Sequence, residues 1–353
     1  MGRLHTAARV VGIALAGVVV TTTVLPFVGA TAWWVRIFDF PRLQIAAVGV
    51  GTLALAALGF ERRDRPWLVG VGACVAWQSG AVLPFTPLGP REVEPAREGA
   101  PRLRLLVSNV FQDNRDAGLL LEAVAESDPD IFLAMETDAW WADALSPLHA
   151  EYPHRLSAPL PNTYGMILYS RLPLEAASVQ YLVESDVPSV HATLRIDGSP
   201  IRLHGLHPRP PGPQGQPSGP RDAELVVVGA LVREEKLPAI VIGDLNDVAW
   251  SATTRLFRKV SGTLDPRLGR GMFNSFDANN PVLRFPLDHV FHTPDFRLSS
   301  LRLLPYVGSD HFPVLAELSY EPAAAPEQPH PLPEPEDVEE AEEKIEAGFE
   351  EAR

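Results

Sequence analysis

Polar residues gather where apolar runs stop. Asn109 closes LRLLVSN, Glu136 closes DIFLAME, His207 closes IRLHGLH, and Asp244 and Asn246 close PAIVIGDLN. Asp288 sits in FPLDHVF, and Asp310-His311 in GSDHFPV. An Asp-His pair supplies a hydrogen-bond acceptor beside a base that titrates near neutrality, which makes Asp310-His311 the most specific local signal. Singly, each has a structural reading as well. Asp244 to Asp247 after a strand can form an Asx turn or a helix cap, and Asn109 with Asp113-Asn114 can form a turn. Glu136 beside Thr137-Asp138 can cap the next helix, and His204 and His207 can be satisfied strand and loop histidines.

The elements that must carry these residues alternate between strand and helix. Arg102–Asn109, Ile131–Met135, Met166–Ser170, His191–Ile196, Ile201–Leu206, Ala239–Gly243, His289–His292 and Val314–Leu318 have short apolar or alternating patterns that predict strands. Gly118–Ser127 and Asp222–Glu235 predict helices, and a Pro- and Gly-rich loop, Pro208–Pro220, follows His207. The class is mixed α/β, in which strand ends collect on one rim where sites are commonly built. The loop after His207 is expected to border that rim.

The flanks are of another kind. The 353-residue chain is 46% hydrophobic and 21% charged, enough for one medium-sized catalytic domain with appendages. Val10–Ala30, Leu43–Phe60 and Pro66–Phe85 are apolar runs separated by short charged links, and Trp33, Trp34 and Trp67 stand at their ends, where amphipathic rings favour a membrane interface. Residues 1–85 therefore predict a membrane anchor of three transmembrane helices. A cleaved signal peptide ending near Ala30-Thr31-Ala32 is the alternative for the first run alone. Arg3 and Arg9 before the first run, and Arg62, Arg63 and Arg65 between the second and third, place those ends in the cytoplasm by the positive-inside rule. The domain after Phe85 is then extracytoplasmic in a multi-pass cell-membrane protein, although Arg36 and Arg42 on the opposite side weaken the contrast.

Residues 86–101 read as a polar linker, 102–320 as the catalytic domain, and 321–353 as an acidic Pro- and Glu-rich tail expected to be disordered, save for a short helix near Val338–Ala352. Twelve acids against Lys344 and Arg353 put −10 of the −14 net charge in this tail, leaving −4 for the rest. Overall charge therefore excludes no substrate. The single cysteine, Cys74, cannot form an internal disulfide.

In order and spacing the set Asn109, Glu136, His207, Asp244-x-Asn246, Asp288 and Asp310-His311 resembles the endonuclease/exonuclease/phosphatase superfamily, whose fold is that of pancreatic deoxyribonuclease. The motifs that carry the resemblance are LLVSN, LAMET, GMILYSRLPL, HGLHP, GDLND, LDHVF and SDHFPV, spread over residues 102–318. Multi-helix anchors ahead of such a domain also look like a membrane-anchored bacterial branch of the superfamily. The resemblance implies a four-layer sandwich of two packed mixed β-sheets flanked by helices. It further implies Mg²⁺, with Mn²⁺ as an alternative, held by Glu136 with help from Asn109 and Asp310. Asp244 would position or deprotonate the attacking water, and Asn246 would donate to the phosphate. His311, oriented by Asp288, would stabilise the phosphorane or move a proton, and His207 would be a second donor. His289 stands where nuclease relatives often show an aromatic residue, and is expected to alter the site rim.

The function expected is metal-assisted hydrolysis of a phosphodiester, either nucleic acid or phospholipid headgroup, next to the bilayer, with no obligate protein partner evident. A phosphomonoesterase on a lipid or soluble phosphate and a non-catalytic, membrane-tethered binding module are the alternatives. Arg102, Arg104, Arg115, Arg209, Arg221 and Arg255 are scattered, so the sequence shows no basic stripe for a nucleic acid.

Overall fold

The computed structural model describes residues 2–353. Three long helices open the chain: α1 (Gly2–Val24), α3 (Arg42–Gly59) and α4 (Arg65–Val82), with one turn of helix, α2 (Trp33–Arg36), between the first two. With their flanking turns, Arg3–Val28, Arg42–Gly59 and Arg62–Phe85 are long and apolar enough to cross a membrane. The helices pack on one another through Ala16, Val19, Ile45, Val71 and Cys74, while Val10, Val18, Val48, Val50, Leu58 and Val69 face outward. So broad an apolar exterior has no water-soluble rationale.

The body holds eleven strands: β1 (Arg102–Asn109), β2 (Ile131–Met135), β3 (His154–Ala158), β4 (Met166–Ser170), β5 (Glu175–Gln180), β6 (Ser189–Ile196), β7 (Ser199–Leu206), β8 (Ala239–Asp244), β9 (Asp288–His292), β10 (Phe296–Leu303) and β11 (Val314–Tyr320). Between and after them come α5 (Gly118–Ser127), α6 (Ala139–Ala144), α7 (Gly219–Glu235), α8 (Ala252–Ser261) and α9 (Pro335–Glu351). One sheet runs β10-β11-β1-β2-β4-β3 and the other β5-β6-β7-β8-β9. Alternate residues of the inner strands, such as Leu105, Val107, Leu133, Leu203, Ile240 and Ile242, fill the space between the sheets. The opposite face of the first sheet takes α5 and α6 through Leu120, Val124 and Trp141, and that of the second takes α7 and α8 through Leu225, Val228 and Phe257. Both faces of each sheet are thus covered, which is why the inner strands read as unbroken apolar runs. The four-layer sandwich expected from the sequence is the architecture observed.

Two flanking expectations are corrected. The tail does not stay free: α9 lies along α7, with Ala341 and Ile345 packed against Val226, Leu256 and Val260. Lys259 reaches Asp337 at 2.8 Å and caps the docking electrostatically. One apolar stripe recurring every three to four residues suffices to seat a helix whose average composition is acidic. Residues 86–101 are likewise docked. Val93 is fully buried, the Leu298 amide donates to the Glu94 carbonyl at 3.0 Å, and the Glu94 amide donates to Gln328 Oε1 at 2.8 Å.

The N-terminal helices and their links meet the body directly. Trp250 donates its indole N–H to the Asp39 carbonyl at 2.8 Å, Phe85 packs on Trp250, and Phe40 on Phe285. The Asp39 carboxylate, buried in the link between α1 and α3, pairs with both Arg36 (3.2 Å) and Arg42 (3.0 Å).

Candidate active site

β1 and β2 are parallel, as are β7 and β8, so the C-terminal ends of each pair share one edge. β9 runs antiparallel to β8 and β11 antiparallel to β1, which brings their starts to the same edge. That is how Asn109, Glu136, His207, Asp244, Asp288 and the Asp310-His311 turn converge from distant parts of the chain. The register pairs Asp244 with Asp288 directly. Gly243 has φ +144°, and a Cβ there would strike the Leu206 carbonyl, so only glycine lets β8 deliver Asp244 at this angle. Glu136 (φ +62°) and Asn246 (φ +50°) sit in the left-handed region, a cost that packing around a site can sustain.

Asn109 is the hinge of the arrangement. Its Nδ2 donates to Glu136 Oε1 at 2.9 Å and to Asp244 Oδ2 at 3.2 Å, while its Oδ1 accepts from the Phe111 amide. The other Glu136 oxygen accepts from the Gln112 amide at 3.0 Å. Asp244 Oδ1 accepts from the Asn246 amide at 2.9 Å, and Asn246 uses one amide hydrogen on the Pro208 carbonyl at 3.0 Å. The Asx turn is therefore real and does not compete with a site role. Asp138, not Glu136, caps α6 by accepting from the Trp141 amide, which frees Glu136 of that duty.

His311 lies between two carboxylates: Nδ1 is 2.7 Å from Asp288 Oδ2 and Nε2 is 3.5 Å from Asp244 Oδ2. Burial opposes its charge, but Asp288 and Asp244 together outweigh burial and push its pKa up to about 10. Asp288 is held below the usual carboxylate range despite burial, because of His311. Burial raises Asp244, with His311 opposing the rise. His207, 3.8 Å from Asp244, is kept neutral chiefly by burial, and its Nδ1 has no hydrogen-bond partner. Asp310 is raised by burial, with the charge of His311 opposing the rise and that of Glu136 adding to it.

Six of the eight expected site residues, Glu136, His207, Asp244, Asn246, Asp310 and His311, line one cavity of about 290 Å³; Asn109 and Asp288 stand behind them. Pro210 and Pro211 border the same cavity, so the loop after His207 takes the place expected of it. His289 does not reach the rim. It is fully buried on the other face of β9, 2.6 Å from Arg267 and 2.9 Å from the Asp247 carbonyl. The period of two along a strand forces this: if Asp288 faces the site, its neighbour cannot.

Sequence reasoning missed Tyr164, whose ring lies 5.6 Å from that of His207 and under Arg209, and Phe276, 4.9 Å from the His311 ring. It also missed a wall made by Trp33, Ile37 and Phe40, from the link between the first two long helices. The aromatic pair Trp33-Trp34 was the one available signal, and it reads equally well as a membrane-interface belt.

The chemistry of the donors bears on a metal. Asp244, Asp288 and His311 bring ligand atoms within 4.8 Å of one another, a cluster that could hold an ion. The imidazolium between those two carboxylates already meets their charge. Glu136 and Asp310 instead present hard oxygen donors to the cavity with neutral hydrogen-bond partners, Asn109, the Gln112 amide and Ser309, and fit a hard divalent cation better.

The family profile described as Endonuclease/Exonuclease/phosphatase family matches residues 106–311. Among solved structures, D. rerio TDP2 complexed with a single-strand DNA product is 17% identical, with a TM-score of 0.53 over 62% of this chain and 99% of that one. An endonuclease/exonuclease/phosphatase family protein from Bacteroides thetaiotaomicron is 19% identical, with a TM-score of 0.50 over 63% and 99% of the two chains. The human Nocturnin catalytic domain is 16% identical, with a TM-score of 0.50 over 65% and 97%. No curated protein matches in sequence.

Proposed function

We propose that this chain, which belongs to the Endonuclease/Exonuclease/phosphatase family, is a membrane-anchored, Mg²⁺-dependent phosphodiesterase. The observation that carries the proposal is the His311 imidazole, between Asp288 and Asp244 at the end of a cavity that also holds Glu136 and Asp310. Asp244 is buried and oriented by the Asn246 amide, so it suits taking the proton of an attacking water. His311, kept charged by Asp288, donates to the phosphoryl oxygens as negative charge grows on them. His207 and the free amide hydrogen of Asn246 add neutral donors on the same side. Glu136 and Asp310 would hold the cation, with Asn109 fixing the orientation of Glu136. Such a cation, when bound, polarises the phosphoryl group and stabilises the leaving oxygen.

Three helices long and apolar enough to cross a membrane support a site at a membrane surface. Five arginines (Arg3, Arg9, Arg62, Arg63 and Arg65) stand before the first span and between the second and third, against Arg36 and Arg42 in the link between the first two. That favours the orientation with Arg3, Arg62, Arg63 and Arg65 in the cytoplasm and the catalytic domain outside.

The full chain in detergent should hydrolyse bis-(p-nitrophenyl) phosphate with Mg²⁺ or Mn²⁺ and lose turnover on chelation. His311→Ala should lower it by about 10³-fold, and Glu136→Ala should remove most of it. A folded wild type that releases no nitrophenol with either metal would refute the reading.

A further inference from the structure

We infer that the link between the first and second long helices is part of the substrate site, and that Trp33, Ile37 and Phe40 hold the hydrocarbon chain of a phosphoester lipid. The inference rests on the phosphodiesterase reading above and names its substrate class. The same cavity that exposes Glu136, Asp244 and His311 is lined by these three side chains as well, with Leu287 and Phe276. The cleft thus offers both ionic and apolar walls, which suits a molecule with an ionic head and an apolar chain.

The fold fixes where the apolar end points. With three spans, the link after the first must lie on the side of the membrane reached by the third, where the catalytic domain begins. The link is therefore at the bilayer surface and in the cleft at once. Around it runs an exposed apolar margin: Phe27, Val28, Trp34 and Ile37 from the anchor, and Val282 and Leu283 from the domain. Gln44, near the start of α3, donates to the Val282 carbonyl at 2.7 Å and holds that loop against the anchor. A chain leaving the bilayer at this margin meets apolar side chains as far as the cavity.

Five of the six arginines weighed for a nucleic acid are paired within the protein: Arg102 and Arg104 with Glu317, Arg115 with Asp138, Arg209 with Glu184 and Asp186, and Arg221 with Asp222, while Arg255 bonds the Trp250 carbonyl. Arginines neutralised within the protein contribute little to phosphate-backbone binding.

The test uses the full chain in detergent with Mg²⁺ and a series of p-nitrophenyl alkyl phosphates from methyl to dodecyl, beside thymidine 5′-p-nitrophenyl phosphate. In the wild type, kcat/KM should rise about tenfold or more from methyl to dodecyl as apolar surface leaves water. Ile37→Ser, at a half-exposed position where folding is little at risk, should cut that ratio by about threefold or more, and Trp33→Ala is the second variant. Detergent partitioning acts alike on all three proteins, so the change in ratio reads the wall. A flat series in an active wild type, or a steep one that neither substitution alters, would overturn the inference and leave the phosphodiesterase standing. Preference for the thymidine ester over the dodecyl ester would overturn it in favour of a nucleic acid. No release of nitrophenol from any ester, methyl included, would remove the phosphodiesterase reading and this inference with it.

Discussion

Asp244 and Asp288 flank His311, whereas Glu136 and Asp310 face the cavity a few side chains away with neutral hydrogen-bond partners, Asp310 also feeling the charge of His311. The first pair is buried and its charge is met from inside the protein by an imidazolium. In the second pair, Glu136 above all has its charge left for something that enters. Both sit on the same rim, reached from the same strand ends, so topology does not separate them. The difference lies in one side chain: His311 follows Asp310 in sequence but turns toward Asp288, leaving its neighbour behind. Acidic residues crowded into one site can thus be sorted by asking what neutralises each.

The largest expected effect breaks the comparison if it fails. His311→Ala should lower kcat by about 10³-fold while leaving the Mg²⁺ concentration for half-maximal rate unchanged. A large rise in that concentration would make Asp244, Asp288 and His311 the metal site instead. Glu136→Gln should do the reverse: the Mg²⁺ requirement rises by about 10- to 100-fold, read by activity and by calorimetric titration with Mn²⁺. Asn109→Ala, which removes the donor that orients Glu136, should raise the Mg²⁺ requirement by about tenfold and rest between those two.

A third treatment of a buried carboxyl sharpens the contrast. Glu224, in α7, has neither an imidazolium nor an opening to the cavity, and its Oε1 has no hydrogen-bond partner. Burial, with Glu184 adding to it, pushes its pKa up to about 8, so it is neutralised by its own proton. The unfolded chain ionises near ~4.3, so the stability from this group is complete below that pH, falls as pH rises and is lost above about 8. Across that window each pH unit costs about 1.4 kcal/mol, roughly 2–4 °C in melting temperature. Glu224→Gln should flatten the dependence, and melts by tryptophan fluorescence between pH 5 and 9 check it.

Much of the architecture could be read directly. β1, β2 and β4 run between the very residues the apolar patterns predict, because strands covered on both faces have no choice but to be apolar throughout. The strands that escaped reading are β3, β5 and β10, and each is the edge of its sheet. An edge strand need bury little: Glu175–Gln180 is mostly exposed and built from Glu, Ala and Ser as much as from β-formers. The polar half of the site was legible because its residues stand at strand ends. The apolar half was not, because Trp33, Ile37 and Phe40 reach the cleft only through the packing of Trp250 and Phe285 on the anchor, a contact between segments some two hundred residues apart that leaves no periodicity behind.

That contact has a consequence for how the protein is handled. Cutting the chain ahead of β1 would remove Trp33, Ile37 and Phe40 from the lining of the candidate cleft and uncover Trp250, Phe285 and Leu287, apolar groups now sheltered by Phe40 and Phe85. A water-soluble fragment would be prone to clump, and any turnover it kept would be measured on a vessel with a missing side. Its selectivity would be that of the polar floor alone, broader than the intact protein's, so a substrate profile taken on the fragment would mislead in a predictable direction.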